Sequence, residues 1–411
     1  MIPKLSRYLL VALAVVTFAY VLPAIYNTLF DARINMPYTT YSTTKKDYYT
    51  AHWTDGKSVF TDRKGKQYGQ QEFLDNTLIE NYYFHLSKGT FPDSLNGQKL
   101  YPQQLQKESF NAWVEPELLN VPNYAINPLF ESQPEFGLSF SKDYFRINNR
   151  IEFIDAKSNR VNEAKSIQFT EALNKEGFSY PAVIISGMPT LMKKRDDGWF
   201  ITDSKHQLFH LLMVKGAPVV KKIALPAGMQ LRHIICNDYD ANEFFAILIT
   251  TDNRIFVLNR KDYSTTQMPV EGYNATNMSM IISGTLFNKT VAVKSDKGLQ
   301  LTTFDRGYRV IDKHFMPVAQ KSEMAIGKVS AALFPFQLQL SSPHDSFISF
   351  HLKDSNSWTF LVLNLLLVIV TVILMRKEGK SLSRGIPDLV IVALTGIFGF
   401  LAVHIIPNKQ Y

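Results

Sequence analysis

The chain has 411 residues, with 44 Lys and Arg against 36 Asp and Glu and a net charge of +8. Seven of those cations and two of the acids fall in the apolar terminal regions, which leaves 37 against 34, or +3, between them and no basic block of the kind that tracks nucleic-acid phosphates. Cys236 is the only cysteine, so an intramolecular disulfide is excluded, and roughly 325 residues bury an adequate core without one.

Residues 1–30 hold the apolar run Leu9 to Ile25, preceded by Lys4 and Arg7, with no acid before Asp31. That pattern predicts an uncleaved signal anchor. Thr17, Phe18 and Ala19 offer a small-residue cleavage site for the rival reading, a cleaved signal peptide. Residues 31–356 then form a β-rich region interrupted by a helical insertion at 71–135. Leu74, Leu78, Tyr82 and Leu86 recur every fourth residue and predict one helix over Gln71 to Lys88, stopped by Gly89. Pro102 to Trp113 predicts a shorter second helix, and Pro116, Pro122, Pro128 and Pro134 mark an extended connector. Asn162 is placed to cap a further helix through Glu176, stopped by Gly177. These helices are expected to cover the β body as a cap or lid.

From Tyr144 onward one phrase recurs: a β-rich run, an Asp in a polar turn, and a second β-rich run. The turn aspartates Asp155, Asp203, Asp252 and Asp296 are 48, 49 and 44 residues apart, and Asp62 lies 93 residues before the first. A period near 45 matches one four-stranded propeller blade. The expected fold class is therefore mainly β, a propeller or partial propeller of repeated meanders, with a sandwich or irregular solenoid as the rival, because Asp, Asn and Gly favour turns in any β-protein. Ala331 to Leu352 is expected to supply a final pair of strands.

Two more apolar stretches close the chain, at 357–375 and 386–406, separated by a loop at 376–385 with four cations and one acid. Each is about long enough to cross the hydrocarbon core. The positive-inside rule puts the N-terminus and that loop in the cytoplasm. It thus puts residues 31–356 and the tail Asn408 to Tyr411 outside, across three transmembrane helices. In the last of these, Ala393, Gly396, Gly399 and Ala402 recur every third residue, and Asn364 places an amide deep in the helix before it. Small residues let helices approach, and a buried amide seeks a partner, so this face is expected to pack against an integral-membrane partner or within the chain.

The order FRINNRIEFIDAKSNRVNEAKSIQFTEAL (Phe145 to Leu173), GMPT (Gly187 to Thr190), DDGWFITDSKHQLFHL (Asp196 to Leu211) and FPFQLQL (Phe334 to Leu340) before paired membrane helices resembles a family of Bacteroidota inner-membrane proteins. That family is classed as a domain of unknown function and is associated with genes beside those of ABC transporter ATPases. The resemblance covers most of the chain and brings no catalytic residue or ligand with it. It implies an inner-membrane location and a transporter neighbourhood.

Candidate chemistry is sparse. Asp238, Asp240 and Asn242 alternate as in a calcium loop, but the sixth position is Glu243 instead of Gly and the twelfth is Ile249 instead of a carboxylate. His206 and His210 are four apart in a stretch that reads as strand, where they would lie about 13 Å apart and could not share a zinc ion. Cys236 follows Ile234 and Ile235, an apolar setting in which a thiol is inert. Glu152, Asp155, Lys157, Glu163 and Lys165 could line a polar site where the helix meets the β body, or form a salt-bridged surface. There is no nucleophile elbow, zincin motif or phosphate-binding glycine loop, and no cofactor is expected. The expected function is a non-enzymatic binding or interaction module, an accessory subunit of an envelope complex such as an ABC-type transporter. An envelope enzyme with a site between the insertion and the β scaffold, and a sensor acting through a partner, are the alternatives.

Overall fold

The computed structural model describes the chain except residues 1, 31–36, 55, 96, 117–118, 120–125, 194, 237–242, 296, 319–322, 341–349, 356, 380 and 409–411. Two units emerge, residues 1–36 with 318–411, and residues 37–317. The first opens with helix α1 (Ile2–Leu29).

The second unit is built from antiparallel meanders. β1 (Tyr38–Ser42), β2 (Asp47–Thr54), β3 (Lys57–Asp62) and β4 (Gln67–Tyr68) make the first sheet. The insertion follows, with α2 (Gln70–Asn76), α3 (Tyr82–Lys88), the small hairpin β5 (Ser94–Leu95) and β6 (Gln98–Lys99), α4 (Pro102–Glu108) and β7 (Phe110–Val114). The helix expected over Gln71 to Lys88 is thus two short helices. The Thr77 hydroxyl donates to Phe73 O at 2.7 Å and takes a bond from Asn81 Nδ2 at 2.7 Å, so side chains capture backbone groups where the helix would continue. The second predicted helix also stops early, because Phe110, Ala112 and Val114 alternate inward and pair as a strand.

The second sheet is β8 (Asn127–Pro128), β9 (Asp143–Ile147) and β10 (Ile151–Asp155), followed by α5 (Glu163–Lys175), whose first turn is capped by Asn162 Oδ1 accepting from Lys165 N at 3.2 Å. β11 (Ile184–Gly187), β12 (Trp199–Thr202), β13 (Leu208–Val214) and β14 (Ala217–Ile223) form the third sheet. β15 (Leu231–Ile235), β16 (Phe244–Thr250), β17 (Ile255–Asn259) and β18 (Thr265–Met268) form the fourth. β19 (Ser279–Gly284), β20 (Lys289–Ser295), β21 (Gly298–Phe304) and β22 (Val310–Met316) form the fifth, with β7 added at its edge beside β19.

Side-chain parity decides how these sheets stack. On β16, Ala246 and Leu248 enter a core shared with the third sheet, while Ile247 and Ile249 enter a core shared with the fifth. Strands packed on both faces must be apolar throughout, which is why this stretch shows no alternation. Phe244 joins the same core as Ile247 because a bulge between Phe244 and Ala246 resets the parity. The second and third sheets share Phe145, Phe153, Trp199 and Phe209, with Trp199 Nε1 donating to Pro128 O at 2.9 Å. The fifth meets the first through Tyr48, whose hydroxyl is 2.8 Å from Thr303 Oγ1 and whose ring stacks on His314. The sheets thus run second, third, fourth, fifth, first, and among the described residues no closed barrel or propeller forms.

The turn aspartates do not mark equivalent positions. Asp203 and Asp252 both lie between the second and third strands of their sheets, whereas Asp155 is the last residue of β10, the final strand of the second sheet in chain order. Asp296 lies outside the described residues. What recurs is a turn geometry. Oδ1 of Asp62, Asp203 and Asp305 accepts from the backbone two and four residues on, and the third residue on, Gly65, His206 or Tyr308, has positive φ. In the fourth sheet Thr250 takes that role, with Asn253 at positive φ, and Asp252 sits two residues later.

The other unit continues with α6 (Ala325–Leu333) and a two-stranded sheet of β23 (Phe336–Leu340) and β24 (Phe350–Asp354). The final strand pair therefore lies outside the β body. α7 (Thr359–Lys377), α8 (Leu382–Thr395) and α9 (Ile397–Ile405) close the chain. Leu5–Leu29 of α1 and the whole of α7 are long and apolar enough to cross a membrane. The expected third span at 386–406 is not one helix: it breaks at Gly396, where φ is 59° and ψ is −129°, a backbone state that favours glycine.

Candidate functional site

A densely charged joint of the β unit is the loop between β11 and β12. Lys193 Nζ bonds Asp196 Oδ1 at 2.5 Å and Met188 O at 2.6 Å, with side chains 2% and 0% exposed. Asp197 forms a bidentate pair at 2.6 and 2.7 Å with Arg260, which follows β17 of the fourth sheet, and Arg195 adds a longer contact at 3.3 Å. Burial pushes the Asp197 carboxyl up, but the Arg260 guanidinium outweighs it and holds the group below the usual carboxylate range. Arg260 also lies over the Phe245 ring, 4.2 Å from its centroid. This loop ties the third sheet to the fourth.

His210 sits beneath it, stacked on Phe200 at 4.2 Å. Its Nε2 lies 2.6 Å from Asp197 O, and since a carbonyl only accepts, Nε2 carries the hydrogen and Nδ1 accepts from the Tyr263 hydroxyl at 2.9 Å. Burial pushes the imidazole down to about 4. Cys236 borders a small cleft lined also by Lys193, Asp197, Phe200 and Phe245, and burial pushes its thiol up to about 12. The cleft offers ≈ 20 Å³, the room of about one water molecule. Such a joint holds a neutral base, an un-ionised thiol and matched charges, and its chemistry is that of a structural clamp. His206, by contrast, occupies the exposed β12–β13 turn at φ 59°, so the two histidines belong to different environments.

The five polar residues expected to converge are divided among separate contacts. Glu152 pairs with Arg146 and Arg150, and Arg150 reaches on to Glu163 at 2.9 Å. Lys165 bonds Asp143 at 2.8 and 3.0 Å and lies 4.3 Å over the Phe153 ring. Asp155 accepts from the Lys157 and Ser158 backbone in its own turn. The calcium-like residues Asp238, Asp240 and Asn242 lie outside the described residues.

In the helical unit, Asn364 of α7 is 3% exposed and donates to Ala393 O at 2.9 Å. Its Oδ1 is buried without a hydrogen bond and faces Gly396, where any Cβ would collide with it. A Cβ on Gly399 would meet Ile391 O at 2.8 Å, so that glycine packs against α8. Ala402 is fully buried with Val11, Val15 and Ala19 of α1. The small-residue stripe is therefore occupied within the chain. Phe398, beside it, is also fully buried, stacked on Phe334 at 5.8 Å.

Two arrangements escaped the sequence reading. Arg7 forms a bidentate pair with Asp388 at 2.8 and 2.9 Å, and a lone acid inside an apolar stretch was the available signal. The second is a pair of exposed loops. Phe136 is 99% exposed, Phe140 85% and Met192 91%. The loop carrying the two phenylalanines is joined to that carrying Met192 at its base, by Ser132 Oγ donating to Asp196 Oδ2 at 3.1 Å and by Lys193 lying 4.5 Å over Phe130. Nothing in the apolar count of these loops distinguished them from buried segments.

No curated protein matches the chain. The family described as Domain of unknown function (DUF4857) matches residues 38–313, the whole of the sheet series but for the end of its last strand, and the chain belongs to that family.

Proposed function

We propose that this chain is a non-enzymatic, membrane-anchored extracytoplasmic interaction module, an accessory subunit of an inner-membrane complex such as an ABC-type transporter in Bacteroidota. The observation that carries this reading is the exposure of Phe136, Phe140 and Met192 on two loops with a shared base. Large apolar side chains held in water on a clamped scaffold are disfavoured unless a partner covers them, and aromatic and Met residues are enriched where partners meet. The clamp supports the same reading, since His210 and Cys236 are not tuned for proton transfer or attack near neutral pH. The open series of sheets reads as a partial propeller that presents loops at its rim.

The test is Phe136→Ser, Phe140→Ser and Met192→Ser combined, with partners identified by cross-linking in native membranes. Loss of a stoichiometric partner, with unchanged thermal unfolding of the solubilised protein, is expected. An unchanged partner set would remove the loops from any interface and with them this function.

A further inference from the structure

Arg7 makes a contact that a three-span arrangement forbids. Its Nη atoms hold Asp388, near the start of α8, while its Nε donates to Ile406 O, just past the end of α9, at 2.9 Å. Eighteen residues of continuous helix would separate those two positions by about 27 Å, far beyond the reach of one guanidinium. The stretch must fold back on itself, and Gly396 is where it does so. Gly399 packing on Ile391 O places the two legs side by side, with the fold midway between those residues.

Length agrees. The 14 residues of α8 and 9 of α9 give about 21 and 13 Å, against about 30 Å of hydrocarbon. Depth agrees as well. Gly385 lies against Met375 near the cytoplasmic end of α7, and Gly396 against Asn364, which is five residues from the opposite end of that helix. The apex therefore penetrates most of the way along α7 and does not emerge.

We infer that residues 382–405 form a re-entrant helical hairpin, latched to α7 through Asn364 at its apex and to α1 through Arg7 at its base. The inference rests on the membrane reading above. It gives the chain two spans and returns residues 406–408 to the cytoplasmic side. Lys4, Arg7, Arg376, Lys377 and Arg384 then all belong to one face, as the positive-inside rule requires. The side chains of Arg7 and Asp388 are 10% and 11% exposed, so each charge enters apolar surroundings only as half of a bidentate pair. Backbone broken at this depth is tolerated because it is packed inside protein.

Single cysteines decide the matter, placed in a Cys236→Ser background at Lys353, Ser383 and Asn408 and probed with an impermeant maleimide. Lys353→Cys is expected to react in intact spheroplasts, and Ser383→Cys and Asn408→Cys only after lysis. Reaction of Asn408→Cys in intact cells to the level of Lys353→Cys overturns the hairpin and leaves the outer-domain reading standing. Silence of Lys353→Cys until lysis would instead sink the outer-domain reading. Should the cysteine variants not accumulate, a green fluorescent protein fused after Tyr411 reads the same side: a fluorescent fusion is expected, and a dark full-length fusion alongside an active alkaline phosphatase fusion overturns the inference.

Discussion

The β unit and the helical unit are both rich in apolar sequence, yet the pattern carries different information in each. Along β16 from Ala246 to Ile249, each step of one residue moves a side chain between the core shared with the third sheet and the core shared with the fifth. Position in the sequence thus fixes the neighbour. Along 386–406 the apolar run sets only a preference for lipid or protein over water. One glycine at positive φ and one arginine two residues before the start of α1's apolar run set the path of that stretch. Strands inherit their path from a period of two, while apolar helices of equal hydropathy inherit theirs from a few polar or small residues.

The comparison is tested most severely where each unit hides an ion pair or a turn. Asp196→Ala leaves Lys193 buried without its carboxylate and is expected to destabilise the protein by about 3–5 kcal/mol, read as a lowered unfolding temperature in detergent. Replacing both, Lys193→Met with Asp196→Leu, should recover much of that loss. If the single variant unfolds with the parent, the buried Lys193–Asp196 pair does not hold the β11–β12 loop in place.

Gly396→Leu comes next. Positive φ costs a side chain about 1–2 kcal/mol and the collision with Asn364 about 1–3 more, so a loss of about 2–5 kcal/mol and altered migration of the solubilised protein are expected. Val390→Leu, on an exposed position of the same hairpin, should leave both unchanged. Phe398 cannot serve as that control, being fully buried. Equal behaviour of the two variants would mean that the backbone break does not direct the path.

Acidity separates the two kinds of buried group in the β unit. Burial pushes His210 and His233 down to about 4, so between about pH 6.5 and 4 the unfolded chain binds more protons than the native one and stability falls as pH drops. Glu80 is the opposite case. Its Oε1 accepts from Thr43, its Oε2 is buried without a hydrogen bond, and burial pushes the carboxyl up to about 7. The native state then binds more protons than the unfolded state between about pH 4.5 and 7, and this contribution falls as pH rises through that window. Glu80→Gln should therefore be more stable than the parent above pH 7, by something on the order of 1–3 kcal/mol, with the difference vanishing near pH 4.5. Parallel pH profiles for parent and variant would show that Glu80 is solvated.

The smallest expected effect addresses the repeated turns. Asp203→Ala removes an acceptor from three backbone amides, those of Ser179, Lys205 and Gln207, and should cost about 1–2 kcal/mol. Asp252→Ala removes an exposed partner of Arg254 and should fall within about 0.5 kcal/mol of the parent. Equal losses would restore the aspartate period as a structural marker.

The sequence by itself determined the strand-rich centre, the α5 cap at Asn162, two membrane-length helices and the inert setting of Cys236, because local hydrogen bonding, apolar length and periodicity settle such features within a few residues. It left the path of the last apolar stretch, the dispersal of Glu152, Asp155, Lys157, Glu163 and Lys165, and the clamp of Lys193, Asp196, Asp197 and Arg260 undecided. The pairs Arg7 with Asp388 and Asp197 with Arg260 join residues 381 and 63 apart. Only tertiary structure can choose such partners, because a charge has no period and pairs with whichever opposite charge the packed backbone brings within reach.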